Sequence, residues 1–163
     1  MNIFIGCSKT KLDHPAKAKD IYTDASFRYA WGYAEGLKKD HDNIHIYILS
    51  AKHHLLNPDK EISPYNEFLS DFSADEKKKW AEECISAMKA SHINFDEEAI
   101  FLCGSDYLEN LIGEFSRSKT PLKNLQIGKR LKKIKNMCLR VNPGYKISES
   151  LADFILMNIY EKD

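Results

Sequence analysis

Three short apolar segments, each followed by a small or polar residue, are the feature that most constrains the fold of this chain. They span residues 3–5, 44–49 and 99–102, and the residues that follow them are Gly6, Ser50 and Cys103. Short apolar runs closed in this way are typical of buried strands that open into loops. Segments with helical periodicity separate them. This alternation predicts an α/β fold in a single domain, residues 1–163, with a small, mostly parallel sheet flanked by helices.

The helices have recognisable beginnings. One is predicted to start near Ala25, and Ser73 with Glu76 has the pattern of a capping box at the start of another. A basic helix is predicted from about Gly128, with Ile127 among its inward residues, and Ser148 is predicted to cap a final helix.

Irregular structure is expected in two stretches. Proline and polar residues predict loops over residues 10–24 and 53–58. Three strands are few for such a sheet, and a fourth is predicted around Val141.

Composition excludes several classes of protein. With 163 residues, 43% of them hydrophobic, the chain is long enough to bury one core. It lacks both a run of roughly 20 apolar residues and the basic flank of a secretion signal. Its four cysteines form no Cys-x-x-Cys pair, which argues against a disulfide framework and a zinc site. We therefore expect a cytoplasmic protein with no membrane partner, no metal and no cofactor.

The formal net charge of zero conceals a basic block. No Asp or Glu occurs between Glu114 and Glu149, whereas that stretch carries ten Lys and Arg residues. Such a block suggests binding to phosphate or nucleic acid, and the alternative is a solvated helix face. The residues expected to contact phosphate are Lys129, Arg130, Lys132 and Lys133.

The carboxyl ends of the three strands predict where a site lies. Ends of parallel strands share one edge of a sheet, and ligands of open α/β sheets bind outside that edge. Lysines and helix N-termini there would favour an anion or phosphate, unless the small residues only punctuate loops. The candidate residues that follow the strands are Cys7, Ser8 and Lys9, then Ser50 and Lys52, then Gly104 and Ser105.

Cys7 is the candidate nucleophile. Lys9 and Lys11 follow it closely, and neighbouring ammonium groups favour the thiolate form of a cysteine. Such a thiolate attacks a nitrile, an imidate carbon or an activated carbonyl. The alternative is a half-buried cysteine that packs as a small apolar residue.

Histidines and tyrosines complete the candidate pocket. Lys52 with His53 and His54 offers an acid–base pair, of which one histidine at most is expected to serve because adjacent strand residues point in opposite directions. Tyr22 and Tyr65 are candidates to stack a nucleobase.

Several motifs resemble a known group of proteins. They are the opening Ile-Gly-Cys-Ser-Lys-Thr-Lys, the segment Leu-Ser-Ala-Lys-His-His-Leu-Leu-Asn-Pro at residues 49–58, and Ile-Gly-Lys-Arg-Leu at residues 127–131. The pattern resembles an uncharacterised bacterial and phage domain family with C-S-x-x-K and L-S-A-K-x-G-L-L-x-P motifs. That family is similar to YaaA-like peroxide-stress proteins and to the catalytic core of archaeosine synthase. One departure is His54, which stands where the family has glycine.

The resemblance implies a site and a type of chemistry. The residues it implies are Cys7, Lys9, Tyr22, Ser50, Lys52 and Tyr65, and in the archaeosine synthase core a cysteine attacks a base nitrile. The leading hypothesis is therefore an enzyme that acts on a nucleobase or nucleotide, with a phosphate-bearing ligand or nucleic acid as its partner. The alternatives are a non-catalytic DNA-binding stress protein and a small-nucleotide sensor.

Overall fold

A computed structural model describes residues 1–147, and within them helices alternate with strands as the sequence predicts. The strands are β1 (Asn2–Gly6), β2 (Ala16–Lys17), β3 (His45–Ser50), β4 (His54–Leu56), β5 (Glu61–Ile62), β6 (Glu98–Leu102) and β7 (Arg117–Lys119). The helices are α1 (Ala18–Ile21), α2 (Ala25–Asp40), α3 (Ala74–Ala90), α4 (Ser105–Leu108) and α5 (Ile127–Val141). The predicted final helix at Ser148 lies outside the described residues.

One five-stranded sheet forms the centre of the fold, in the order β4-β3-β1-β6-β7. β1 pairs in parallel with β3 and β6, and β7 continues in parallel beside β6. β4 turns back antiparallel against β3, and β2 with β5 forms a separate two-stranded ribbon. The prediction of an α/β fold with a mostly parallel sheet is confirmed.

Alternate residues of β1 enter two different cores, which places helices on both faces of the sheet. Ile3 and Ile5 pack in the core that contains the buried stripe of α2 and Ile134 of α5. Phe4 packs in the other core, with Trp80 of α3. Both faces of β1 are covered, which is why its apolar residues run consecutively.

Two glycines of α2 allow α5 to approach it closely. A Cβ atom at Gly32 would lie 2.8 Å from the Sγ atom of Cys138, and one at Gly36 would lie 2.9 Å from a methyl group of Val141. Within residues 1–147, every helix falls short of the length and apolar character that a membrane crossing requires.

The helix beginnings agree with their sequence signals. Asp24 accepts a hydrogen bond from the Ser26 N–H at the start of α2. Ser73 and Glu76 form the predicted capping box at the start of α3, with bonds of 3.2 and 3.0 Å.

Some local predictions are wrong. The stretch 10–24 contains β2 and α1, and the stretch 53–58 contains β4. Val141 is the last residue of α5, so it contributes no strand. Ile127 is 78% exposed because it occupies the first position of α5, ahead of the turn that packs on α2.

Candidate active site at the carboxyl edge of the sheet

The chain leaves the two central strands in opposite directions at their carboxyl ends. From β1 it passes through α2 to β3 on one side, and from β6 it passes through α4 to β7 on the other. Such a reversal opens a crevice between the two strand ends, where ligands bind in open α/β sheets. Cys7 directly follows β1, and Gly104 precedes α4 at the end of β6.

Cys7 is held in this crevice by two neighbouring elements. Its backbone N–H donates to the Leu49 carbonyl oxygen (2.9 Å), and its Sγ atom lies 3.1 Å from the hydroxyl oxygen of Tyr107. That hydroxyl group donates to the Cys7 carbonyl oxygen (3.0 Å). Because a tyrosine has a single hydroxyl proton, Tyr107 can donate to the Cys7 carbonyl oxygen or to Sγ but not to both at once. Burial, with Cys7 beside it, raises the pKa of Tyr107, which keeps the phenol protonated.

The other three cysteines are in a different environment. All four are free thiols, but only Cys7 is partly exposed. Burial raises the pKa of Cys84 and Cys103, and it raises that of Cys138 to about 11. The exposure needed for reaction with a ligand therefore belongs to Cys7 alone.

Lys11 brings a positive charge into the same loop. Its Nζ atom donates to the Ser8 carbonyl oxygen (2.9 Å) and lies 4.3 Å from the centre of the Tyr65 ring. The Phe68 ring is 5.3 Å from the same atom. Burial lowers the pKa of Lys11, and the nearby Cys7 opposes that shift. The ammonium group is thus shielded by aromatic rings, where its charge acts more strongly than in bulk water.

A chain of three buried hydroxyl groups lies beside this lysine. The Tyr22 and Tyr65 oxygens are 2.6 Å apart, and the Ser50 Oγ atom lies 2.8 Å from Tyr65 and accepts from the His53 N–H (3.0 Å). Three hydroxyl protons and two mutual bonds leave one proton for an acceptor outside the trio. Burial raises the pKa of Tyr22 and of Tyr65, so both phenols stay neutral.

The two adjacent histidines have different partners. The His53 ring contacts the Tyr65 ring edge to face, with centroids 5.4 Å apart. Burial, reinforced by the charge of Lys52, lowers the pKa of His53 and favours the neutral ring. The His54 Nε2 atom instead contacts the carboxylate of Glu83 in α3, and the φ of His54, 61°, is in the left-handed region that favours glycine. A glycine would adopt this backbone conformation without strain.

The remaining residues predicted for this edge are more loosely held. The Ser8 hydroxyl donates to the Thr10 carbonyl oxygen at 3.4 Å, and the exposed Lys9 has its Nζ atom 5.2 Å from the Phe68 ring centre. Lys52 and Ser105 are exposed. Their placement at the carboxyl edge agrees with the prediction, and their roles as ligands stay predictions.

The predicted phosphate-binding residues of α5 divide into two groups. Lys129, Lys132 and Lys133 are exposed. Arg130 is half-buried, and its guanidinium group lies against Gly104, where an added Cβ atom would be 3.1 Å from Nη1. Arg130 therefore belongs to the edge of the sheet, apart from the exposed lysines.

Three contacts of the site could not be read from the sequence. The positions of Tyr107 and Trp80 in helical stripes predict burial, but not that Tyr107 bonds Cys7 or that the Trp80 indole N–H donates to the Ser50 carbonyl oxygen (2.9 Å). Lys11 was expected only to influence Cys7, and its aromatic surroundings come from residues far along the chain. One signal in the sequence could have placed Tyr107 at the site. It lies three residues after Gly104, and Gly104 follows the end of the central strand β6.

A family model described as a family of unknown function (DUF6884) matches residues 3–136 of this chain. No curated protein matches the chain, and no solved structure matches it. The similarity to YaaA-like proteins and to the archaeosine synthase core stays a prediction.

Proposed function

The chain belongs to this family of unknown function (DUF6884), and we propose that it is an enzyme that acts on a nucleobase or nucleotide through Cys7. The observation that carries the proposal is the environment of Cys7 at the end of the central strand. Its thiol is the partly exposed one among four, it contacts the Tyr107 hydroxyl, and it shares a loop with Lys9 and Lys11. A nucleophile beside a hydroxyl group and ammonium groups is typical of covalent catalysis.

In the proposed reaction the Cys7 sulfur adds to an electrophilic carbon of the ligand. A carbon–sulfur bond forms while the π electron pair moves onto the attached nitrogen or oxygen, which takes up the proton that the thiol releases. A nitrile would give a thioimidate, the chemistry implied by the resemblance to the archaeosine synthase core. Lys9 and Lys52 would hold phosphate or polarise the reacting group, and Ser8, Ser50 and Ser105 would hydrogen-bond the ligand.

The free thiols suit a reducing compartment, and we propose a cytoplasmic location on that ground. Phosphate-bearing ligands are the proposed partners, since cationic side chains border the crevice on the Cys7 loop and on α5.

A second candidate function is supported by the exposed side of α5. Lys129, Lys132 and Lys133 are all exposed there, and the stretch between Glu114 and Glu149 has no acidic residue to offset them. A non-catalytic DNA-binding protein would use this surface, and its affinity would fall steeply with salt because phosphate contacts release counterions.

The test is a screen of wild type and Cys7→Ser against nucleosides, nucleotides and short oligonucleotides, by thermal shift and intact-mass spectrometry. We expect a ligand that stabilises both proteins but forms an adduct, or is converted, only with wild type. Identical behaviour of the two proteins would remove Cys7 from the mechanism. Binding lost only when Lys129, Lys132 and Lys133 are neutralised would favour the DNA-binding function, and stabilisation by free nucleotides without conversion would favour a sensor.

A further inference from the structure

Arg130 differs from the other cations of α5 in where its charge is placed. Lys129 and Lys132 beside it in sequence are exposed, whereas Arg130 is half-buried with its guanidinium group against Gly104. A side chain at position 104 would come within 3.1 Å of Nη1 and 3.3 Å of Nη2. Because Gly104 has no side chain, the guanidinium group can lie next to the main chain at the end of β6.

Within residues 1–147, most of the hydrogen-bonding capacity of Arg130 is unused. Its Nη2 atom donates to the Leu125 carbonyl oxygen (3.2 Å), and a guanidinium group has five N–H donors. Its Nε atom is the one buried side-chain nitrogen or oxygen without a hydrogen-bond partner in residues 1–147. Buried polar groups in folded proteins are nearly always paired, so the unpaired Nε leaves this guanidinium group short of acceptors, and its Nη atoms beside Gly104 are the donors that an anionic ligand would meet.

The same short segment of chain connects Arg130 with Cys7. Gly104 touches the guanidinium group, and its carbonyl oxygen accepts from the Tyr107 N–H (3.2 Å). The Tyr107 hydroxyl contacts Cys7 on the other side. Cys103, the residue before Gly104, packs against the end of β1, since a Cβ atom at Gly6 would lie 2.7 Å from the Cys103 Cβ atom. An anion on Arg130 would therefore lie at the same edge of the sheet as the thiol.

We propose that Arg130, beside Gly104, is the phosphate subsite of the crevice, and that the substrate is a nucleotide and neither a free base nor a nucleoside. This inference rests on the proposed function for the identity of the ligand. The planar fork of arginine matches two oxygens of a phosphate, so recognition is by paired charge-assisted hydrogen bonds. The exposed lysines of α5 are not part of this subsite.

The first experiment uses inorganic phosphate as the probe and iodoacetamide labelling of Cys7, followed by peptide mass spectrometry, as the readout. We expect phosphate, at ionic strength matched with chloride, to slow labelling of wild type. Arg130→Gln should weaken the apparent affinity for phosphate roughly tenfold or more. Arg140→Gln, an exposed arginine on the same helix, should leave it unchanged. Equal protection of all these proteins, or protection of none, would overturn the subsite.

Two further variants test the subsite even if Arg130→Gln does not fold. Arg130→Lys keeps the positive charge but loses the fork, and Gly104→Ala displaces the guanidinium group by adding one carbon. Both should weaken phosphate protection while the unliganded melting temperature stays close to that of wild type. Full protection in both variants would contradict the assignment.

The second experiment compares the four common nucleosides with their 5′-monophosphates in the same labelling assay. We expect the monophosphates to protect Cys7 more strongly, and Arg130→Gln to erase that preference. Equal protection by nucleosides and monophosphates would overturn the phosphate subsite and leave the proposed function standing. Protection by inorganic phosphate without any effect of the monophosphates would overturn the assignment of a nucleotide substrate, while the anion subsite would stand.

Discussion

The hydroxyl chain of Ser50, Tyr65 and Tyr22 allows a graded prediction of stability. Ser50 is fully buried, and its Oγ atom is bonded both to the His53 N–H and to the Tyr65 hydroxyl group. Tyr22 makes one side-chain hydrogen bond, to Tyr65, at the other end of the chain. Ser50→Ala removes two bonds, whereas Tyr22→Phe removes one and leaves Tyr65 paired with Ser50.

The expected costs follow from that count. A net hydrogen bond contributes about 1 kcal/mol to the free energy of unfolding, and a buried donor left without a partner costs a further 1–3 kcal/mol or so. Ser50→Ala, which removes two bonds and orphans a donor, should therefore lower the free energy of unfolding by about 3–5 kcal/mol, and Tyr22→Phe by about 1 kcal/mol. Ser50 and Tyr65 share a bond, so their double mutant should cost roughly 1 kcal/mol less than the sum of the single mutants.

Urea unfolding followed by circular dichroism measures these differences, because a single domain of this size is expected to unfold cooperatively. The exposed Ser63→Ala is the matched control and should stay within about 0.5 kcal/mol of wild type. The reasoning is refuted if Tyr22→Phe lowers the free energy of unfolding as much as Ser50→Ala does. The second lost bond and the unpaired donor that distinguish Ser50→Ala would then contribute nothing measurable.

Three other predictions concern backbone strain, pH and capping. His54→Gly should be about 1 kcal/mol more stable than His54→Ala in urea, because both lose the contact with Glu83 but only glycine is unstrained at a φ of 61°; equal stability of the two would argue against strain. Burial raises the folded-state pKa of Tyr22 and Tyr65, so above about pH 10 the unfolded chain releases protons first and the free energy of unfolding should fall by up to about 1.4 kcal/mol per pH unit for each tyrosine. Melts between pH 8 and 11 measure that fall, and an unchanged slope in Tyr22→Phe would contradict it. Ser73→Ala should cost about 1 kcal/mol through loss of the capping box of α3, and a cost below about 0.3 kcal/mol would show that the cap is not needed.

The central strands could be predicted from the sequence because burial on both faces makes them continuous apolar runs. β4 and β7 were missed, since a three-residue edge strand such as Arg117–Lys119 has too little apolar periodicity to recognise. Val141 was misjudged because a β-branched residue before an Asn-Pro-Gly turn resembles the end of a strand. Its place at the end of α5 depends on packing against Gly36 of α2, a contact between distant parts of the chain.

The meeting of the three strand ends at one edge of the sheet was also predictable, because parallel strands bring their carboxyl ends together whatever their order. The partners of individual side chains were not. His53 and His54 have different partners, and the backbone at His54 is left-handed. A sequence pattern predicts that conformation for glycine but not for histidine. The separation of Arg130 from Lys129 depends on which side of α5 meets the end of β6.

The central place of β1 in the sheet has a consequence for how the protein is made. β1 leaves the ribosome before the other strands. One of its two neighbours in the sheet, β6, lies nearly a hundred residues further along the chain. Until β6 has emerged, one edge of β1 and much of its apolar surface lack their partners, and contacts so distant in sequence form slowly. We therefore expect chaperones to protect the nascent chain until most of it has been synthesised. The crevice beside Cys7 should form late in folding, because it needs β6.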